Sequence, residues 1–342
     1  AEKRQRILEV NEALASNALR VLGVAYRPLP EVPRSPTVEG IEKDLTFVGL
    51  IGMIDPARPE VKEAVVVARQ AGIETIMITG DYKNTAIAIS KELDLLSPGG
   101  RVLTGAELNQ LDDETFTDMV EEVEVYARVS PQHKVRIVEA LKKRGHIVAM
   151  TGDGVNDAPA LKRASIGVAM GITGTDVSKE TADMVLTDDN YASIVSAVEE
   201  GRIIYSNIRK FVYYLLSCNV GEILIIFLAM LAGWPVPLTA IQLLMLNLVT
   251  DGAPALALGL EKGDPDIMKQ PPRPPAEPVL NRERIWGIIV LSLAVTFATL
   301  GAFASALFWF RTNLTVAKTM AFVTLALAEL PVAYTARSER YS

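Results

Sequence analysis

Residues 151–157 carry the side chains that most directly suggest chemistry. They read Thr-Gly-Asp-Gly-Val-Asn-Asp and follow the apolar stretch Ile147–Met150, which the pattern predicts to be a β-strand. The glycines let the backbone turn sharply and approach an anion closely. Asp153 and Asp157 place hard carboxylate oxygens at the strand end, where Mg²⁺ could be held. The segment therefore indicates phosphate and magnesium chemistry.

A second set of polar side chains lies inside apolar stretches long enough to cross a membrane. Within two of the spans its members are three or four residues apart, which puts them on one helix face. One further member lies in the fourth span, two residues before a proline. Ionised groups at bilayer depth are costly, so they need a partner or a function. An all-oxygen set suits a hard cation such as Ca²⁺ rather than copper or zinc. The predicted ligands are Asn219, Glu222, Asn247, Thr250, Asp251 and Glu329.

Two neighbours of these ligands have separate interpretations. Pro254 has no N–H to donate to the carbonyl of Thr250, so we expect the helix to loosen there. Loosened backbone at membrane depth is tolerated where it lines a site. Cys218 is the single cysteine in the chain and has no second thiol to join it, so we interpret it as a packing residue.

Three further motifs lie at predicted element ends. Thr79-Gly80-Asp81 closes one predicted strand, the Asp55-Pro-Ala-Arg58 segment closes another, and Lys134 begins a helix after Ser-Pro. In a doubly wound parallel sheet, active sites lie at the carboxyl ends of the strands.

The elements that must position these residues alternate between residues 45 and 189, which predicts such a sheet. The predicted strands are Val21–Tyr26, Thr46–Met53, Glu74–Ile78, Val123–Val129, Ile147–Met150, Ile166–Ala169 and Met184–Leu186. The predicted helices are Glu60–Ala71, Asn84–Leu93, Gln132–Lys143 and Ala158–Ala164.

Four apolar spans follow, at about residues 203–231, 238–260, 285–310 and 316–336. Each has roughly 20 residues or more, enough to cross ~30 Å of hydrocarbon. Basic residues gather before the first span, between the second and third, and after the fourth, which predicts that these segments and the α/β domain are cytoplasmic.

Composition agrees with a membrane protein. Of the 342 residues, 49% are hydrophobic, and the net charge of −7 argues against a nucleic-acid partner. The charged first residues do not resemble a signal peptide. They read as the middle of a domain, so we interpret the chain as a fragment.

On these motifs the chain resembles the carboxy-terminal half of a P-type cation-transporting ATPase, most like the calcium pumps. The resemblance implies an α/β haloacid-dehalogenase-like (Rossmann-like) cytoplasmic domain plus an α-helical transmembrane domain. It implies that residues 1–44 end the nucleotide-binding domain and form a connector, that 45–190 form the phosphorylation domain, and that 191–342 form the transmembrane domain.

The resemblance also implies roles for single residues, with ATP and Mg²⁺ as cofactors. Thr79, with Gly80 and Asp81, contacts the transferred phosphoryl group, and Lys134 neutralises it. Asp153 binds Mg²⁺, while Asn156 and Asp157 support the site. Residues at or near the nucleotide are Arg20, Asp55 and Arg58.

Several family motifs are missing from the 342 residues. The acceptor motif D-K-T-G-T, the T-G-E-S motif and the K-G-A nucleotide motif do not occur. In the family they lie upstream, so the resemblance implies the missing amino-terminal half of the pump as a partner. We expect this chain alone to be inactive.

The motifs leave more than one transported cation possible. Calcium pumps resemble the chain best, because they place Asn where Asn247 stands and favour Asn-Val-Gly-Glu, present at 219–222. Retention of Glu222 and Glu329 makes a two-ion site possible. An Mn²⁺ or Na⁺ pump and a non-catalytic truncated remnant are the alternatives, whereas four spans exclude a soluble phosphatase. The short loop at 311–316 resembles bacterial pumps, which predicts a bacterial plasma membrane.

Overall fold

The structure is a computed structural model that describes residues 2–16, 19–29, 37–53 and 56–337. Contacts between residues divide the chain into two compact units, Ala1–Val195 and Ser196–Ser342. The first unit contains all the β-strands, and the second is helical.

The first unit begins with helix α1 (Glu2–Ser16) and strand β1 (Arg20–Tyr26). After the short helix α2 (Val38–Ile41), β1 pairs antiparallel with β2 (Thr46–Met53). Both strands were predicted at these positions. The prediction that β2 joins the parallel sheet is wrong, because its ladder hydrogen bonds go to β1.

Helices then alternate with six short strands. In chain order these elements are α3 (Pro59–Gln70), β3 (Met77–Ile78), α4 (Lys83–Glu92), β4 (Arg101–Thr104), α5 (Gly105–Leu108), α6 (Asp113–Met119), β5 (Val123–Ala127), α7 (Pro131–Lys143), β6 (Ala149–Gly152), α8 (Ala158–Arg163), β7 (Ile166–Met170), α9 (Asp176–Thr181) and β8 (Met184–Leu186).

These six strands form two parallel sheets of three strands each, where the sequence predicted one continuous sheet. The strand orders are β3-β5-β4 and β6-β7-β8. Strands β3 and β6 are therefore both edge strands among the described residues. Ile78 from β3 and Met150 from β6 pack into one apolar cluster with Val138 of α7 and Leu161 of α8. The site loops 79–81 and 151–157 follow these two edge strands directly.

Besides the short α2, four elements of this unit were missed from the sequence, namely β4, α5, α6 and α9. The helices are short and begin at side-chain caps that local chemistry explains. Thr104 and Glu107 form a capping box, while Asp112 and Thr175 accept backbone N–H groups at the other two starts. Strand β5 ends earlier than predicted because Arg128 adopts a positive φ of 54°.

The second unit contains most of α10 (Tyr191–Leu231), which begins in the first unit, and all of α11 (Ala240–Met245), α12 (Gly252–Gly259), α13 (Arg282–Ala304) and α14 (Leu314–Ala336). Short π-helical turns at Leu246–Thr250 and Ser305–Trp309 continue α11 and α13. The four helical stretches Tyr191–Leu231, Ala240–Gly259, Arg282–Trp309 and Leu314–Ala336 are long and apolar enough to cross a membrane. They contain or closely match the four predicted spans.

The expected loosening of the second span is confirmed. The N–H of Asp251 donates to the carbonyl of Leu246, five residues earlier, at 2.9 Å. This wide turn is a π-bulge, a feature frequent at functional sites. Pro254 has no N–H to donate to the Thr250 carbonyl, and this carbonyl instead accepts a hydrogen bond from the Tyr214 hydroxyl at 3.4 Å.

Side-chain hydrogen bonds between helices reinforce the packing of this unit. The hydroxyl of Ser292 on α13 donates to the carbonyl of Ser217 on α10 at 2.8 Å, one turn before Gly221. Thr296 reaches the Gly221 carbonyl at 3.3 Å. Buried hydroxyls of this kind are typical contacts between membrane helices.

Candidate functional site

The loop at residues 151–157 is built around the buried carboxylate of Asp157. One carboxylate oxygen accepts the backbone N–H groups of Asp153 and Gly154, each at 3.2 Å. A Cβ placed on Gly152 would lie 2.4 Å from the Asp157 Cβ. Only glycine allows this approach without a shift of the loop, so Gly152 sets the position of Asp157.

Lys134 forms the second half of this arrangement. Its Nζ donates to the other Asp157 carboxylate oxygen at 2.6 Å, although the two residues are 23 positions apart. Burial raises the pKa of Asp157, but hydrogen bonds from Lys134 and from the Gly154 and Asp153 N–H groups outweigh it, and the pKa is lowered from 3.8. The ion pair is therefore charged at neutral pH.

Asp153, unlike the buried Asp157, has a solvent-exposed carboxylate. Its side chain is exposed, and its carboxylate has no hydrogen bond or ion pair to the described part of the chain. Its backbone carbonyl, in contrast, accepts the N–H of Thr175 at 2.8 Å and the hydroxyl of Ser178 at 3.1 Å. These two hydrogen bonds fix the main chain at residue 153, and the carboxylate has no partner among the described residues.

Sequence reasoning missed Thr175 and Ser178 as residues that position this loop. The available signal was a threonine directly before an Asp at the start of a helical pattern, which is a typical N-cap. Only the fold shows that this helix start lies against residue 153.

The Thr79-Gly80-Asp81 loop makes a turn that its own side chains hold. The Thr79 hydroxyl donates to the Asp81 carboxylate at 2.9 Å and accepts the Asp81 N–H at 3.1 Å. The Thr79 N–H donates to the Tyr126 carbonyl at 2.9 Å, which extends the β3–β5 pairing by one residue. No atom lies within 4 Å of a Cβ built on Gly80, so space beside the turn is open.

The remaining predicted residues of this unit are more scattered. Arg58 occupies the N-cap position of α3 without a side-chain capping hydrogen bond, and its guanidinium donates to the Asp188 carbonyl at 3.2 Å. Asn156 is exposed. Arg20 begins β1, but its side chain lies outside the described residues, as does all of Asp55.

In the helical unit, two of the predicted carboxylates meet. An oxygen of Asp251, an oxygen of Glu329 and the sulfur of Cys218 lie within 4.8 Å of one another, and all three residues are buried. The Tyr214 hydroxyl donates to Asp251 Oδ1 at 3.1 Å. Asp251 Oδ2 and both Glu329 oxygens have no hydrogen-bond partner among the described residues.

A second group forms around Glu222. The Asn247 amide donates to Glu222 Oε2 at 2.8 Å, whereas Oε1 is buried and has no partner within the described ranges. Asn219 turns its amide nitrogen to the Leu215 carbonyl at 2.8 Å, which leaves its amide oxygen for another partner. Thr250 is half-buried in the π-helical turn.

Tyr214 and Cys218 were not predicted as site residues. Cys218 packs in the apolar cluster of this unit, as the sequence indicated, and in addition lies beside the two carboxylates. The available signal was spacing, since residues 214, 218 and 222 follow one another at intervals of four and share a helix face.

The arrangement can be compared with known proteins. Residues 235–342 match the model of the cation transporting ATPase C-terminus, and residues 11–165 match that of the haloacid dehalogenase-like hydrolases. The chain is 52% identical to a calcium-transporting ATPase of Bacillus subtilis and 47% identical to calcium-transporting ATPase 1 of Bacillus cereus. It is 45% identical to a P-type sodium-transporting ATPase4 of Toxoplasma gondii.

These alignments cover most of the chain but only part of the relatives. The match spans 99% of the chain and 38% of the Bacillus subtilis protein, 100% and 40% for Bacillus cereus, and 82% and 23% for Toxoplasma gondii. With four helices able to cross a membrane, they support an integral membrane protein with a haloacid-dehalogenase-like α/β unit. The chain is therefore similar, over nearly its whole length, to part of the calcium-transporting ATPases, and two stretches of it match cation transporting ATPase and haloacid dehalogenase-like models.

Proposed function

We propose that this chain is part of an ATP-driven pump that moves a hard cation, which we assign as Ca²⁺, across a membrane through a phosphoaspartyl intermediate. The observation that carries the proposal is the set of buried carboxylate oxygens of Asp251 and Glu329 that have no hydrogen-bond partner among the described residues. Such oxygens are costly to bury unless a cation joins them. The same chain holds a loop suited to phosphoryl transfer.

At the phosphoryl site, Lys134 would neutralise the transferred group, and Thr79 with Gly80 and Asp81 would contact it. The exposed Asp153 carboxylate fits a Mg²⁺ ligand, because it is the one acid of the loop left free by its neighbours, with Asn156 and Asp157 in support. Bound Mg²⁺ supplies positive charge that stabilises the transferring phosphoryl oxygens.

The acceptor aspartate must come from elsewhere in the pump, since no D-K-T-G-T string occurs in the 342 residues. We infer that its strand lies between β3 and β6, whose outer edges are unpaired among the described residues. A parallel strand there would end between the loops at 79–81 and 151–157 and would join the two sheets.

The domain assignment and orientation are also proposals. Residues 1–44 would end a nucleotide-binding domain, 45–190 would form the phosphorylation domain and 191–342 the membrane domain. Arg20, Asp55 and Arg58 would lie at or near the nucleotide. The distribution of basic residues supports a cytoplasmic α/β unit, and the short loop at 311–316 supports a bacterial plasma membrane.

Calcium is favoured by the ligand set and by the relatives. Carboxylate, amide and carbonyl oxygens are the groups that Ca²⁺ takes in sets of roughly six to eight. Two ions could be served, with Asp251 shared between the Glu329 and Glu222 groups. Mn²⁺ and Na⁺ remain the competing ions, and the sodium-transporting name of one relative keeps Na⁺ in the comparison.

The test is equilibrium binding of radioactive calcium to the full-length pump, with phosphorylation from ATP measured in parallel. Asp251→Asn should eliminate Ca²⁺-dependent phosphorylation, because the shared carboxylate would lose its charge. Glu222→Gln should halve the binding stoichiometry. Glu283→Gln, an exposed acid in the first turn of α13, is the matched control and should bind normally.

Two results would count against the proposal. If Asp251→Asn binds calcium normally, the membrane site lies elsewhere. If the wild-type pump is phosphorylated in response to Na⁺ or Mn²⁺ and not to Ca²⁺, the ion assignment is wrong and the pump mechanism stands.

A further inference from the structure

The sulfur of Cys218 lies close enough to Asp251 and Glu329 to bind a cation together with them. The sulfur and one oxygen each from Asp251 and Glu329 are mutually within 4.8 Å. Two atoms that bind one Ca²⁺-sized cation at roughly 2.3–2.6 Å cannot be more than about 5 Å apart. All three atoms therefore satisfy the spacing needed to share one cation.

Hydrogen bonds among the described residues leave three carboxylate oxygens of the cluster without a donor. Glu329 is 0% exposed, and both of its carboxylate oxygens lack a partner in the described part of the chain. Asp251 is equally buried. Its Oδ1 accepts a hydrogen bond from the Tyr214 hydroxyl, and its Oδ2 has no partner among the described residues. A buried carboxylate oxygen without a donor is costly, so the cluster is set up for a positively charged occupant.

Because the third atom of the cluster is the Cys218 sulfur, the cluster prefers a different class of cation from a site made of oxygens alone. Oxygen-only sites select hard cations such as Ca²⁺, whereas a cysteine sulfur binds softer divalent cations such as Zn²⁺ much more strongly. A sulfur with two carboxylates is a mixed set drawn from the ligand types of zinc sites. Sulfur binds as the thiolate, so an incoming soft cation takes the place of the thiol proton.

We propose that Cys218 is a specificity-determining residue, whose sulfur joins Asp251 and Glu329 to bind a thiophilic divalent cation of the Zn²⁺ and Cd²⁺ class. This inference rests on the proposed function, because it takes Asp251 and Glu329 as part of the transport site. Ca²⁺ uses the oxygens, so the soft cation and Ca²⁺ compete for the same carboxylates.

The test uses the full-length pump without nucleotide, titrated with Cd²⁺. Coordination to sulfur gives a ligand-to-metal charge-transfer band in the ultraviolet, and added Ca²⁺ should reverse it. In Cys218→Ser the Ca²⁺-reversible band should disappear. The Cd²⁺ affinity should fall by at least the roughly tenfold that loss of even an outer-shell partner causes, whereas the Ca²⁺ affinity should change by less than about twofold.

Ser217→Ala is the matched control. Ser217 is the preceding buried residue of α10, and its hydroxyl donates to the Tyr213 carbonyl of its own helix at 2.8 Å. This variant should keep the Ca²⁺-reversible band. Cysteines elsewhere in the pump appear in wild type and variants alike, so the difference spectrum isolates Cys218.

A measurement on the wild type alone covers the case in which Cys218→Ser does not fold. X-ray absorption at the cadmium edge should show one sulfur neighbour that is lost when Ca²⁺ is in excess. A first shell of oxygen only, or a band that persists in folded Cys218→Ser, overturns the proposal. Absence of Ca²⁺ binding by the wild type, with a sulfur-bound Cd²⁺ present, would instead refute the calcium assignment.

Discussion

At the scale of single residues, the two aspartates of the 151–157 loop have divided roles. Asp157 is buried and uses both carboxylate oxygens within the protein, on Lys134 and on two backbone N–H groups. Asp153 is exposed, and no described residue engages its carboxylate. Substitution of Asp153 should therefore affect chemistry, whereas substitution of Asp157 should also affect the fold.

Asp153→Ala in the full-length pump should lower phosphorylation from ATP at least ~100-fold, as loss of one preorganised electrostatic group does in other enzymes. Stability should change by less than about 0.5 kcal/mol, because the carboxylate has no intramolecular partner. Glu180→Ala, an exposed acid on α9, is the control for phosphorylation. Near-normal phosphoenzyme in Asp153→Ala would remove this residue from the site.

Gly152→Ala tests the close approach to Asp157. The added methyl would overlap the Asp157 Cβ, so we expect the loop to shift at a cost of about 1–3 kcal/mol, typical of overpacking. Gly154→Ala is the matched control for stability, since its nearest neighbour would be 3.7 Å away. Denaturant unfolding of the two variants compares them. If Gly152→Ala is as stable as Gly154→Ala, the loop tolerates a side chain at position 152 and the close approach to Asp157 is not a constraint.

At the scale of elements, α7 shows how local chemistry supports the site. Ser130 caps the helix that carries Lys134, and the ring Nδ1 of His133 accepts the Ser130 N–H at 3.1 Å. The other ring nitrogen faces the Asn109 amide oxygen at 2.8 Å and so acts as the donor. This pattern requires the neutral imidazole, because a protonated Nδ1 could not accept.

The start of α7 should therefore weaken in acid. Burial, together with the positive charge of Arg136, lowers the pKa of His133 from 6.5. A base with a lowered folded pKa contributes stability above its unfolded pKa, and this is lost as pH falls through the folded pKa. Hydrogen exchange of residues 132–143, corrected for intrinsic rates, should accelerate as the pH falls below 6.5.

His133→Gln provides the comparison for this pH effect. Its amide oxygen can accept the Ser130 N–H, but it does not titrate, so the extra acceleration in acid should vanish. The same acceleration in wild type and His133→Gln would show that another group controls the helix start.

At the scale of the whole molecule, the α/β unit contains two three-stranded sheets with open edges at β3 and β6. The chain spans 38% and 40% of two Bacillus relatives. An intact pump would cover these edges with the acceptor strand, and unpaired edges are prone to association.

The purified 342-residue chain should form no acid-stable phosphoenzyme from ATP, because it has no D-K-T-G-T acceptor. Co-expression with the remaining upstream part of the same pump should restore Ca²⁺-dependent labelling on the upstream piece. The upstream piece with its acceptor Asp changed to Asn is the control. Labelling of the 342-residue chain alone would show that it contains an acceptor we have not identified.

The sequence by itself determined the candidate site residues and most of the elements. Residues 151–157, 79–81 and the polar positions in the spans were predicted as sites from residue type and spacing, and their roles remain predictions. The strands Thr46–Met53 and Met184–Leu186 were predicted with the observed limits. Periodicity and composition act locally, so a sequence reveals them directly.

Tertiary structure decided the pairings. Antiparallel pairing of β2 with β1, the ion pair between Lys134 and Asp157, and the support of Asp153 by Ser178 all join distant positions. The place of Cys218 beside Asp251 and Glu329 depends on how three helices pack. Spacing within one helix shows which residues share a face, but only packing shows which faces meet, and this is why the cysteine was predicted as packing alone.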